Sequence, residues 1–231
     1  MGLESRLFEF LNKYPEILKV RGGYTTKKSK KIVTLPSSFT EDLCRVIGII
    51  HGDGNMSNKR ILITDKNPQY HLYLRKLFKK TFAIELNLFE DKNRNTFYSH
   101  SKNSILYKYL NDVLEVPSGA VRKSLTLPKY LTKLPIRMQA QYVAGIFDSE
   151  SHIRKRQAEI DFSTTTKDLW VFVKSFLSKI GIKFTARIRR RRKNPEYEIF
   201  IYGKRNLMIF KKYVKLKNPD KKIALTAFLR H

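Results

Sequence analysis

The chain has 231 residues, 42% of them apolar and 12% aromatic, which suits one large domain or two small ones and excludes a disordered basic tail. Its 47 Lys plus Arg against 20 Asp plus Glu leave a net charge of +27, which repels itself unless a polyanion neutralises it. Nucleic acid is the leading partner, because each neutralised phosphate releases condensed counterions; a ribosomal protein or an anionic-membrane binder would share the balance.

Met1 to Arg6 lacks the apolar stretch of a secretory signal, and Arg6 stands where a myristoylation motif needs Ser or Thr. Leu3 to Lys19 carries Leu3, Leu7, Phe10, Leu11, Tyr14 and Leu18 at spacings that predict one amphipathic helix. Arg21 to Lys31 (RGGYTTKKSKK) reads as a solvated linker or as a DNA-tracking arm, so residues 1–35 form an N-terminal extension.

From Pro36 one order of elements is predicted twice. Residues 36–116 hold a helix over Thr40 to His51, capped by Ser38 or Thr40, and an alternating strand over Arg60 to Thr64. A helix over Asn67 to Phe82 follows, then strands Ile84 to Phe89 and Thr96 to Ser101 around a turn at Asp91 to Asn95, then a helix over Asn103 to Leu114. Cys44, in the first of these helices, is the single cysteine, which excludes an internal disulfide or a cysteine-built zinc cluster and fits a reducing, intracellular setting. Residues 117–135, with three prolines, form a connector. Residues 136–231 repeat the order: helix Ile136 to Asp148, hairpin His152 to Thr164, helix Lys167 to Ile180, strands Lys183 to Arg191 and Tyr197 to Tyr202, and helix Asn206 to Val214. A short helix over Pro219 to His231 ends the chain. No apolar run approaches the roughly 20 residues that cross a bilayer, so no membrane partner is expected.

Val46 to Gly54 (VIGIIHGDG) and Val143 to Ser151 (VAGIFDSES) match position by position. Each has glycine third, a small residue seventh and a carboxylate eighth. On a helix, Gly48 and Gly52 share a face, as do Gly145 and Ser149, and small residues at that spacing let two backbones approach. Glycine inside a helix costs about 1 kcal/mol relative to alanine, so the same cost in the same register twice points to mutual packing. Asp53 and Glu150 would then emerge side by side, although carboxylates are poorly placed at helix C-termini. Carboxylates brought that close repel unless a proton or a hard cation such as Mg²⁺ lies between them, which suggests metal-assisted phosphodiester hydrolysis.

These residues, with the connector SGAVRKSLTLPKYL, resemble the LAGLIDADG homing endonucleases in their single-chain, two-motif form, over most of the chain from Pro36. The resemblance implies an α+β fold, a pseudo-two-fold repeat of α-ββ-α-ββ-α units. Two antiparallel sheets would form a saddle on double-stranded DNA, with the motif helices packed at the interface through Gly48, Gly52, Gly145 and Ser149. It implies a monomer that makes a double-strand cut in a long target. Asp53 and Glu150 would hold Mg²⁺, replaceable by Mn²⁺, with Gly52 and Ser149 beside them at the metal site. Lys217 and Lys123 would be the basic residues near the metals. Departures are His51 at the sixth position, where Asp148 keeps the usual Asp, and Ser151 where glycine is usual. His51 reads as a helix-end structural or solvated histidine rather than a ligand.

The strand over Lys183 to Arg191 alternates apolar with Lys183, Thr185, Arg187 and Arg189, and Arg191 continues the row; such guanidiniums read guanine or grip phosphate. Arg154 and Arg156 offer similar contacts, and Arg60, Lys92 and Arg94 are weaker counterparts in the first half. An intron RNA-binding splicing factor or a non-cleaving DNA-binding regulator could use the same basic surface, but neither asks for the two carboxylates. Self-splicing as an intein is disfavoured by Met1 at the start and Arg230-His231 at the end.

Overall fold

The computed structural model describes residues 2–121, 125–154, 159–190 and 195–230. Helix α1 (Leu3–Lys13) is shorter than the spacing predicts. Pro15 is the reason, since a residue before proline is driven from helical geometry, and Tyr14 has φ −124° and ψ 73°. The next residues are not a linker. Strands β1 (Ile17–Val20), β2 (Gly23–Thr26) and β3 (Ser29–Val33) form a three-stranded antiparallel sheet. Gly22, at φ +90°, makes the first turn. This extension is tied to the first repeat by Lys13 Nζ to Asp112 Oδ2 (2.7 Å), Lys108 Nζ to Glu16 Oε1 (2.6 Å) and the Arg6–Glu115 pair.

The first repeat opens with α2 (Glu41–Asp53), where Thr40 Oγ1 accepts from the Leu43 N–H at 3.1 Å and so settles the cap. Strand β4 (Gly54–Ser57) follows at once and pairs with β5 (Arg60–Asp65) across Asn58 and Lys59. Those two residues have φ 51° and 58°, as a two-residue hairpin turn requires. The sequence pattern misses β4, whose Gly-Asn-Met-Ser is short and lacks β-branched side chains. Then come α3 (Pro68–Phe82), capped by Asn67, β6 (Asn87–Asp91), β7 (Thr96–Lys102) and α4 (Ser104–Asp112). The short β8 (Gly119–Ala120) joins β4, giving the sheet order β6-β7-β5-β4-β8.

After α5 (Tyr130–Lys133) the second repeat contains α6 (Ile136–Glu150), β9 (Ser151–Arg154), β10 (Glu159–Thr164), α7 (Lys167–Lys179), β11 (Thr185–Arg189), β12 (Glu196–Tyr202) and α8 (Lys204–Tyr213). Its sheet has the order β11-β12-β10-β9, and α9 (Pro219–Arg230) follows. The fold is therefore α+β, with an α-ββ-α-ββ-α unit repeated on two antiparallel sheets.

Alternation explains which sheet face is covered. Ile61 and Ile63 of β5, Ile160 and Phe162 of β10, and Ile199 and Ile201 of β12 are buried, each worth about 1.5–3 kcal/mol relative to exposure. Between the sheets' inner faces lie α2 and α6, apolar on nearly every side: Val46, Ile47, Ile49 and Ile50 match Val143, Ala144, Ile146 and Phe147, all fully buried.

Candidate active site at the helix crossing

Glycine decides how closely α2 and α6 approach. A Cβ on Gly48 would lie 2.1 Å from the Tyr142 carbonyl oxygen, and one on Gly145 would lie 2.6 Å from the Arg45 carbonyl oxygen. A Cβ on Gly52 would meet the Cβ of Ser149 at 2.5 Å, so Ser149 fills the space that Gly52 leaves. The crossing brings Gly48, Gly52, Gly145 and Ser149 together, backbone against backbone.

Two polar pairs flank this contact, and they occupy equivalent positions. Arg45 and Tyr142 each stand three residues before the motif glycine; His51 and Asp148 each stand three after it. Arg45 Nη1 donates to Asp148 Oδ2 at 2.9 Å, and Tyr142 Oη lies 2.9 Å from His51 Nδ1. Asp148 also accepts from the backbone N–H groups of Lys217 (2.8 Å) and Asn218 (2.9 Å). Burial pushes the His51 imidazole down to about 3, so it is neutral. His51 is thus a buried structural residue, not a solvated one: a neutral His–Tyr pair replaces the Arg–Asp pair of the other half.

Asp53 ends α2 and Glu150 ends α6, both half-buried. Burial, then the charge of Glu150, pushes the Asp53 carboxyl up to about 7, against the Lys221 ammonium and a hydrogen bond with Ser149. A hard divalent cation would relieve that repulsion. Among the described residues there is no group of three or more His, Cys, Asp or Glu side chains able to hold a metal. An ion here would complete its shell with water and phosphate oxygens, as Mg²⁺ commonly does, and so the donor set fits such an ion.

Lys217, expected beside the carboxylates, is exposed; its ammonium stands 5.8 Å from the centre of the Tyr73 ring, and only its backbone turns towards Asp148. Lys123 lies outside the described residues. The lysine that faces the carboxylates is Lys221, on the first turns of α9. Its Nζ donates to the carbonyl oxygens of Phe147 (3.0 Å), Asp148 (2.7 Å) and Ser149 (2.9 Å) at the end of α6. No local pattern marks it: Lys221 is one of four consecutive residues, Pro-Asp-Lys-Lys, far along the chain from both motifs. Arg45 and Tyr142 carry a detectable signal, three residues before each motif glycine, but not one that the motif itself includes.

The proposed DNA-contacting residues differ in their freedom. Arg60 opens β5, Lys92 and Arg94 sit in the β6–β7 turn, and Lys183 and Arg189 lie before and at the end of β11, all exposed. Arg154 Nε is held by Asp161 at 2.9 Å and Glu159 at 3.2 Å. Arg187 pairs with Glu198 and lies 4.6 Å from the centre of the Phe200 ring. Arg156 and Arg191 fall outside the described residues. By register, Arg154, Arg187 and Arg189 share the outer face of the second sheet with Glu159, Asp161, Glu196 and Glu198, of which Glu159 and Glu198 are buried. Among the described residues these carboxylates lie in phase with the arginines on neighbouring strands, so the strand residues themselves do not form a plain basic stripe.

Residues 137–215, which run from α6 to just beyond α8, match the LAGLIDADG-like domain family. Two relatives are the glutamine–fructose-6-phosphate aminotransferase of Methanocaldococcus jannaschii, 29% identical over 85% of this chain, and a probable translation initiation factor IF-2 of Thermococcus kodakarensis, 25% identical over 94%. The chain spans only 18% of the length of either. Among solved structures, the homing endonuclease I-DmoI in complex with DNA and Mn aligns with a TM-score of 0.55 at 16% identity, over 75% of this chain and 96% of that one. Full-length DUF199/WhiA from Thermatoga maritima aligns with a TM-score of 0.55 at 10% identity, over 81% of this chain and 60% of that one. The chain thus carries a LAGLIDADG-like domain over residues 137–215, and its two-sheet fold is similar to that of I-DmoI.

Proposed function

We propose that this chain is a sequence-specific, metal-dependent endonuclease that makes a double-strand cut in a long DNA target, acting as a monomer with internal pseudo-symmetry. The observation that carries the reading is the convergence of Asp53 and Glu150 at the end of two helices packed by their glycines. Binding a polyanion does not call for carboxylates at that point; hydrolysing one does. Mg²⁺, with Mn²⁺ as a substitute, would be held by Asp53 and Glu150, and would supply charge stabilisation at the scissile phosphate and an activated water. The residues of the chain itself orient and neutralise. Lys221 offsets part of the carboxylate charge, and the uncovered sheet faces offer Arg60, Arg189 and polar side chains to the groove and its phosphates.

The two relatives give further support. One is named an aminotransferase and the other an initiation factor, yet both share this stretch as a small part of their length. A segment common to proteins of unlike activity is better understood as an insert with an activity of its own than as a contributor to either. Its own activity is what the endonuclease reading supplies.

The test is cleavage of a randomised duplex library with Mg²⁺, followed by sequencing of the cut ends. The wild type is expected to enrich one long site, and the Asp53→Asn/Glu150→Gln double variant to bind that site without cutting it. Cutting by the double variant would sink the proposal. Tight binding to structured intron RNA without nuclease activity would replace it with the splicing-factor reading.

A further inference from the structure

A two-fold site built on two helices offers the same set of groups twice: a carboxylate and the carbonyl before it, Asp53 with Gly52 on α2 and Glu150 with Ser149 on α6. The surroundings of those carbonyls differ. The carbonyls of Phe147, Asp148 and Ser149 all receive the Lys221 ammonium, at 3.0, 2.7 and 2.9 Å. An ammonium has three protons, and three carbonyls saturate them. These are final-turn carbonyls of α6, at the negative end of its dipole, where a cation is stabilised; that of Phe147 also accepts from the Ser151 N–H and hydroxyl. Lys221 is itself largely buried, and the carboxylates of Asp53, Asp148, Asp65 and Glu150 all act on it. The cap bonds themselves match, Gly54 N–H to the Ile50 carbonyl on α2 and Ser151 N–H to the Phe147 carbonyl on α6, but among the described residues no lysine donates to the Gly52 carbonyl.

We infer that the Lys221 ammonium is a built-in counter-cation that occupies the α6 half of the carboxylate centre, so that the centre takes one divalent ion instead of a symmetric pair. The physical logic is substitution of like for like. A buried monovalent ammonium, already coordinated by main-chain oxygens, fills the space and the negative potential that a second divalent ion would need. The remaining carboxylate charge is then matched by a single ion, which takes Asp53 as its main ligand. This inference rests on the metal-dependent reading of the same site.

Counting bound Mn²⁺ on the full chain by electron paramagnetic resonance tests it, with the Asp53→Asn/Glu150→Gln variant as the background. The wild type is expected to hold one Mn²⁺ above that background, Lys221→Arg one, and Lys221→Met two. Two ions on the wild type, or one on folded Lys221→Met, would overturn the inference while leaving the metal-dependent reading in place. No ion above background on any variant would overturn both. Should Lys221→Met fail to fold, the wild type still decides the matter: the Lys221 ammonium protons, buried and triply bonded, are expected to stay in slow exchange in nitrogen-detected NMR when Mg²⁺ is added. Their loss on adding Mg²⁺ would mean that the ion displaces the lysine, and the inference would fall.

Discussion

Cys44 sits inside α2 with no exposed surface, and burial pushes its thiol up to about 12 from an ordinary 9.0. Burial thus favours the neutral thiol. Its contribution to stability is intact below pH 9 and is lost as the pH rises from 9 towards 12, where the unfolded chain ionises and the folded one does not. A maleimide is expected to label Cys44 only as fast as the whole protein opens, which urea-dependent labelling followed by mass spectrometry would measure; rapid labelling in buffer would show that α2 frays on its own. Other residues were legible in the sequence to the extent that their chemistry is local. Asp53 and Glu150 stand out because each ends a nine-residue pattern that occurs twice. Lys221 does not, because what defines it is contact with carbonyls more than seventy positions earlier. Lys217 is near Lys221 in sequence yet exposed, since Leu216 and Asn218 on either side of it are the buried residues of that segment.

Elements were legible where periodicity is strong. Helices α2, α3, α6 and α7 lie close to their predicted spans, their starts set by caps such as Thr40 and Asn67. The failures are short strands. The N-terminal sheet hid behind its lysines and glycines, and β4 behind a polar tetrapeptide, because strands this short are specified by pairing and not by composition. The arginines of β11 and β9 were visible, while the carboxylates that neutralise them sit on partner strands and become neighbours only through register. The crossing of α2 and α6 gives a sharp expectation at this scale. Gly48→Ala would drive a Cβ against the Tyr142 carbonyl, a backbone atom that cannot turn aside. It is expected to cost the upper end of the about 1–3 kcal/mol typical of overpacking, or more, read as a lowered urea midpoint. A change of under about 0.5 kcal/mol, the range of a neutral surface substitution, would mean that the helices can part without penalty.

At the scale of the whole molecule, the repeat is symmetric in its backbone and asymmetric in its buried chemistry. The sequence shows the first part through two matched nonapeptides, and shows His51 only as an oddity. The structure gives that oddity a partner. Arg45 with Asp148 and Tyr142 with His51 are two answers to the same packing problem, one ionic and one neutral. Removing one member of a buried ion pair costs about 3–5 kcal/mol, because the remaining charge is stranded. Arg45→Met is therefore expected to destabilise the fold by that order in urea denaturation, and more than Tyr142→Phe, which strands only a neutral imidazole.

The two pairs also work as a recombination code between the halves. Two copies of the first half would set Arg45 against His51 on both sides, burying two guanidiniums with no acid to meet them. Two copies of the second half would face Asp148 with Tyr142, leaving two buried carboxylates with hydrogen bonds but no cation. Neither half can therefore pair with itself as it stands, and a half borrowed from a relative will fit only if it brings the complementary residue to the crossing. A chimera library scored for soluble, folded protein would reveal this as a filter on positions 45, 51, 142 and 148 far stricter than at the rest of the interface; a library indifferent to those positions would show that the code is not read.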